Sequence, residues 1–274
     1  MPTVLIRLEG PMQAWGLSGR GTNSAHRATQ PRPTKSGVIG LVANALGRDW
    51  ADDITDLASL RFGVRVDRPG ELESDYHTTG TGDFPLLPGD IYAHPGWARK
   101  AKTYSPGEPF SAPYVAPADV DYDANGVLTA KPGLTVITRD WYLADASFLA
   151  ALCGDHAITG PIADALAAPA RTLYLGRRAY LPSQPLLAGH HDAALSEALT
   201  CAPAAERTKQ ESLDAWIEPE KPSGAVQTIH DQPISYNGPT SRGARLEQHT
   251  RIPVAVELDR FYSPDRELNP EVTP

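Results

Sequence analysis

Between Asp83 and Leu134 the chain loses every repeating apolar pattern. Eight prolines fall in that stretch, and each fixes φ and removes a backbone donor, so neither a helix of ordinary length nor a central strand can run through it. Apolar periodicity is intact on both sides. A core must therefore close from segments before and after the interruption, with residues 83–134 as an inserted arm. The one cationic patch in the arm is GWARKAKTY, residues 96–104.

Before the arm, Val4, Ile6 and Leu8 alternate with Leu5 and Arg7 up to Gly10-Pro11, which predicts a strand. Val38, Ile39, Leu41, Val42, Ala45 and Leu46 recur at helical spacing, with Thr34 as the cap and Gly47 as the stop. Residues 52–60 read as a second short helix. Residues 61–67 read as a strand with Phe62, Val64 and Val66 on one face, and residues 75–82 extend or end it. After the arm, residues 134–154 favour strand through β-branched and aromatic side chains. Residues 159–170 read as a helix capped by Thr159, with Pro161 near its first turn and Pro169 at its end. Residues 171–186 read as a strand running into an arginine-bearing loop. Without the arm the order is strand, helix, strand, strand, helix, strand, that of an α+β, ferredoxin-like (RRM-like) domain. The expected organisation is a first part at 1–82, the arm at 83–134, a second part at 135–186 and a small C-terminal β-rich subdomain at 187–274.

The formal charge of −8 over 274 residues argues against gripping nucleic acid by bulk electrostatics. Its distribution points elsewhere. Residues 1–48 hold Arg7, Arg20, Arg27, Arg32, Lys35 and Arg48 against Glu9 alone, a local +5 that leaves −13 on the remainder. No run of 18 apolar residues is present and Arg7 and Glu9 interrupt any signal-peptide core, so a cytoplasmic protein without a membrane segment is expected. Cys153 and Cys201 lie outside any metal or disulfide pattern. His190, His191 and Asp192 also lack ligand spacing, because adjacent histidines rarely ligate one ion. No metal and no cofactor are expected.

Thr34, Lys35, Ser36 and Gly37 place backbone donors, a hydroxyl and an ammonium at the positive end of a helix, an anion site that lacks the glycines of a Walker A loop. The preceding loop adds Arg20, His26, Arg27 and Arg32, which matches several phosphates better than one. Arg177 and Arg178 follow Gly176; adjacent residues of extended chain point opposite ways, so one of them faces a ligand. Tyr76 and His77 offer a base-stacking pair or, in a catalytic reading, a general base toward a 2′-hydroxyl. Met12 and Trp15 follow the first strand as core residues or partner anchors.

The blocks IRLEGPMQAWG (6–16), PTKSGVIGLVANALGR (33–48), DYHT (75–78), LADASF (143–148) and YLGRRAYLP (174–182) together resemble the type I-E branch of the Cas-five group of RAMP-superfamily CRISPR proteins. HDQPIS (230–235), followed by Arg242, Arg245 and Arg251, is a fainter match. The resemblance implies a RAMP domain whose arm is a thumb. It further implies a non-catalytic subunit of the Cascade complex that caps the 5′ handle of the crRNA. Implied partners are the backbone subunit CasC beside the thumb, the large subunit CasA, and target DNA reached through the complex. Under this reading Arg20, His26, Arg27, Thr34, Lys35, Ser36, Arg48, Arg177 and Arg178 meet phosphates, and Tyr76, His77 and Thr78 meet the handle. Met12, Trp15, Trp97, Lys100, Lys102 and Tyr104 meet neighbouring proteins. The alternative is a metal-independent endoribonuclease that processes precursor crRNA, which needs a base, a lysine and an aromatic hydroxyl converging on one phosphate.

Overall fold

The computed structural model describes residues 1–16, 26–79, 83–86, 110–113, 120–122, 128–130, 136–208, 210–221, 224–236 and 242–254. The chain divides into two compact units. The first comprises Met1–Gly21, Ala28–Ser74 and Trp141–Pro274, the second Thr22–Arg27 and Asp75–Asp140. The elements in chain order begin with β1 (Thr3–Glu9), β2 (Met12–Gln13), β3 (His26–Arg27), α1 (Lys35–Ala45), α2 (Thr55–Ser59), β4 (Arg61–Arg68) and β5 (Glu71–Thr79). Then come β6 (Asp83–Leu86), β7 (Phe110–Pro113), β8 (Val120–Tyr122), β9 (Leu128–Ala130), β10 (Val136–Ala144), β11 (Ser147–Cys153) and α3 (His156–Ala167). The last are β12 (Leu187–His191), α4 (Leu195–Cys201), β13 (Ser212–Ile217), β14 (Val226–Pro233) and β15 (Arg242–Pro253).

The first unit is built on a seven-stranded sheet in the order β12-β1-β11-β4-β13-β15-β14, antiparallel at every step. Its first four strands, with α1 linking β1 to β4 and α3 linking β11 to β12, have the split βαβ order read from the sequence. Strand alternation gives the sheet two apolar faces. Val4, Ile6 and Leu8 of β1, Phe62 and Val64 of β4 and Phe148, Ala150 and Leu152 of β11 pack beneath Val38, Ile39 and Val42 of α1 and Ile162 and Leu166 of α3. On the other face Leu5, Leu149 and Ala151 pack against Leu195, Ala198 and Leu199 of α4. Arg65 fastens that helix: its guanidinium donates to the carbonyls of Leu199 and Ala202 (2.7 Å), the free carbonyl end of α4, and its Nε to Asp67 at 2.6 Å.

Three boundaries differ from the sequence reading. The helix expected to start at Thr159 starts one turn earlier, capped by Asp155, whose carboxylate accepts from the Ala157 N–H at 2.9 Å. Thr159 is buried inside it and donates to the Asp155 carbonyl at 3.1 Å. Pro161 is tolerated there because the carbonyl it leaves unpaired belongs to exposed Ala157. Residues 171–186 are not a strand. Gly176, at φ +92° against the Ala14 carbonyl, turns the chain, and the strand begins at Leu187. Finally, residues 187–254 do not form a separate β layer, since β12 and β13–β15 extend the main sheet at its two edges.

In the second unit β10 runs parallel to β3, with Arg139 opposite His26 and Asp140 opposite Arg27, and pairs with β5 as well. Within the arm, β6 pairs with β7 and β8 with β9. Among the described residues no helix is long and apolar enough to cross a membrane.

Candidate nucleic-acid interface

The entrance of α1 is built as the sequence suggests, but its anion is supplied by the protein. Thr34 caps the helix by accepting from the Gly37 N–H at 3.2 Å. The Lys35 backbone N–H donates to Asp231 Oδ2 at 2.8 Å, and its Nζ lies 3.1 Å from Glu218 Oε1. Arg245 Nε donates to Asp231 Oδ1 at 2.5 Å and its Nη2 to Glu247 Oε1 at 2.8 Å, while Arg32 pairs with Glu247 and stacks 4.3 Å over the Trp216 ring. Three cations meet three carboxylates, so the cluster is neutral. Burial pulls the Lys35 ammonium below its usual range against the pull of Glu218. Thr34, Lys35 and Ser36 are all buried. A phosphate at this helix end would have to displace Asp231. The sequence reading missed these partners, whose one visible sign was the i, i+2 spacing of Arg245 and Glu247 on one strand face.

Arg48 holds Asp56 in a two-pronged pair at 2.6 and 2.5 Å. The hydrogen bond keeps the Asp56 carboxyl below, and the Arg48 guanidinium above, their ordinary ranges. Arg177 donates to the Tyr180 hydroxyl at 2.8 Å and to the Trp141 carbonyl at 3.1 Å. Its neighbour Arg178 is exposed and has no ion-pair or hydrogen-bond partner among the described residues. The turn at Gly176 thus separates the two arginines into an inward and an outward one. Trp15 is 1 % exposed and packs in the core with Nε1 donating to Gln13 at 3.2 Å, and Met12 packs against the same core. Trp15 is therefore a core residue, not a partner anchor, because its ring fills the space over Gly37.

The second unit brings together residues that lie far apart in sequence. Tyr76 on β5 is 53 % exposed, and the guanidinium of Arg139, on β10, lies 6.0 Å from its ring centroid. Arg139 is itself exposed and has no carboxylate partner among the described residues. His77, next along β5, pairs with Asp75 at 3.1 Å. Arg27 is exposed on β3, two strands' width from β5 across β10. Arg139 went unrecognised in the sequence; a lone arginine in the β-rich run VITRDW was its only signal. The side chains of His26 and Thr78 lie outside the described residues, as do Arg20, Trp97, Lys100, Lys102 and Tyr104 entirely.

The chain as a whole is similar to known proteins. The family model described as CRISPR-associated protein (Cas_Cas5) matches residues 3–252. The chain is 31 % identical over 192 residues to the CRISPR system Cascade subunit CasD of Escherichia coli (strain K12), covering 68 % of this chain and 70 % of the relative. A chain of a solved CRISPR RNA-guided surveillance complex superposes with a TM-score of 0.63 at 31 % identity, over 92 % of this chain and 90 % of that one. A second solved structure, a crystal structure of a Cas protein, gives a TM-score of 0.60 at 31 % identity, over 92 % and 95 %.

Proposed function

This chain belongs to the Cas5 family of CRISPR-associated proteins, and from that premise we propose that it is the subunit of a CRISPR RNA-guided surveillance complex that holds the 5′ handle of the crRNA. The observation that carries the reading is the exposed Arg139–Tyr76 pair, with Arg27 on the neighbouring strand and no acid paired to Arg139. Single-stranded RNA is held by phosphate contacts that set register and by aromatic rings that accept unpaired bases. On the first unit, taken by itself, the exposed Arg178 is a separate candidate for a phosphate contact. Among the described residues most basic side chains of the first unit are tied to carboxylates, and a chain of net charge −8 shares its affinity for RNA with the other subunits.

The arm, with Trp97, Lys100, Lys102 and Tyr104, meets the adjacent backbone subunit in this reading. The role in this reading is binding without turnover, with the His77 ring paired to Asp75 at 3.1 Å. The test is incubation of the full chain with labelled repeat RNA in EDTA, reading both retained complex and product. Retention without cleavage supports the handle-binding role. Site-specific cleavage that disappears in His77→Ala makes the protein an RNA-processing enzyme, and absence of retention, alone and with its partner subunits, removes the handle-binding role.

A further inference from the structure

We infer that the β5–β10 strand pair is two-sided toward RNA: Tyr76 and Arg139 take one unpaired nucleotide, and the side bearing Asp75 and His77 is closed to it. The inference rests on the handle-binding reading and specifies which groups of that surface act. Successive residues of a strand point to opposite faces. Along β5 that alternation sorts the side chains by chemistry: Glu71, Glu73, Asp75 and His77 share one side, Leu72, Ser74 and Tyr76 the other. Two contacts agree with the sorting. His77 Nε2 pairs with Asp75, two residues away on its own side, and Glu73 accepts from the Tyr142 hydroxyl at 2.7 Å.

Tyr76, by contrast, is met by a cation. The Arg139 guanidinium stands 6.0 Å from its ring centroid, close enough for attraction to the ring and far enough to keep its donors available. A nucleotide needs these two things at that spacing: a flat apolar surface for the base and a charged fork for the phosphate beside it. The opposite side offers a phosphate only carboxylates and a histidine already paired to one of them. Tyr76 and His77, adjacent in sequence and equally attractive there as handle contacts, thus have opposite assignments. The ligand class is a single-stranded ribonucleotide, read through stacking and charge, with no base-edge contact assigned.

Binding of labelled handle RNA to the full chain, by anisotropy across a salt series, tests this, with an abasic ribose-phosphate strand of equal length for comparison. Loss of a base-stacking ring is worth about 1–3 kcal/mol per base, so Tyr76→Ala is expected to weaken the intact RNA about 5- to 150-fold and to leave the abasic strand unchanged. Tyr76→Phe, which keeps the ring, binds as wild type. Arg139→Ala lowers the slope of log K against log salt by about 0.7, one phosphate on a single strand. Asp75→Asn and His77→Ala bind within about twofold of wild type, a tolerance set by the stacking loss they lack. If Tyr76→Ala and Arg139→Ala retain full affinity, or if His77→Ala loses as much as Tyr76→Ala, the two-sided assignment is overturned while handle binding stands. A wild-type chain that retains no handle RNA overturns both.

Discussion

Lys35 separates two accounts of the same helix entrance, and Lys35→Met measures which holds. The side chain is buried with its ammonium 3.1 Å from Glu218 Oε1. Removing one member of a buried ion pair costs about 3–5 kcal/mol, because the other charge is left without its counterpart. Glu218 retains Arg245 at 3.5 Å and is not wholly buried, which places the expected loss at the lower end, about 3 kcal/mol. For a chain of this size each kcal/mol moves Tm by about 2–4 °C, so a fall of about 6–12 °C is expected. Adding Glu218→Gln removes the stranded charge while the amide still accepts from the Phe62 N–H, now bonded to Glu218 at 3.2 Å. The remaining cluster, Arg32 and Arg245 against Asp231 and Glu247, stays neutral. The double variant is expected to recover to within about 1 kcal/mol of wild type, well short of the sum of the two single losses, which is the non-additivity a double-mutant cycle reads as coupling. Thermal and urea unfolding of the four proteins gives the cycle directly. A Lys35→Met protein that melts like wild type but loses handle RNA would refute the reasoning and restore Lys35 to the phosphates.

Other expectations follow from single sites. Gly176→Ala places a Cβ 1.7 Å from the Ala14 carbonyl oxygen at a φ of +92°; strain of about 1–3 kcal/mol plus backbone displacement predicts marked destabilisation in urea, and a stable variant would show that the turn rearranges freely. Trp15→Ala is expected to cost about 3–5 kcal/mol as a core deletion, read as lost Tm in the chain on its own; a loss confined to the assembled complex would mark a partner contact instead. Burial holds the His190 and His191 imidazoles below their usual pKa, with the charge of His156 adding at His190. The unfolded chain therefore binds protons first as pH drops below about 6.5, and stability falls from there until the folded pKa values are passed. His190→Gln should flatten that slope, and an unchanged pH profile of unfolding would contradict the assignment.

The core was legible because it repeats. Val4, Ile6 and Leu8, or Phe62, Val64 and Val66, each state their buried face at period two, and the helix from Lys35 to Ala45 states its own at period 3.6 with a cap and a glycine stop. The ionic cluster was not legible, since nothing local in Lys35 says that Asp231 will reach its backbone N–H. A charged residue near a helix end reads as solvated or ligand-bound until the tertiary partner is seen. The same limit explains Arg139, whose value comes from Tyr76 on another strand. The helix at His156 was misplaced for a local reason: Thr159 and Pro161 form a plausible start, but Asp155 offers the stronger one a turn earlier.

The bond from Lys35 to Asp231 spans 196 positions, and this bears on how the protein is made. A ribosome delivers the first helix long before it delivers the strand that completes it. Until β14 and β15 emerge, the nascent chain has Glu218 for the Lys35 ammonium but neither Asp231 for the backbone N–H beside it nor Arg245 and Glu247 to complete the cluster. Contacts so distant in sequence close late and slowly. A product truncated before residue 226 is therefore expected to collapse without the Asp231 bond at the helix entrance and to unfold at a lower temperature than the full chain.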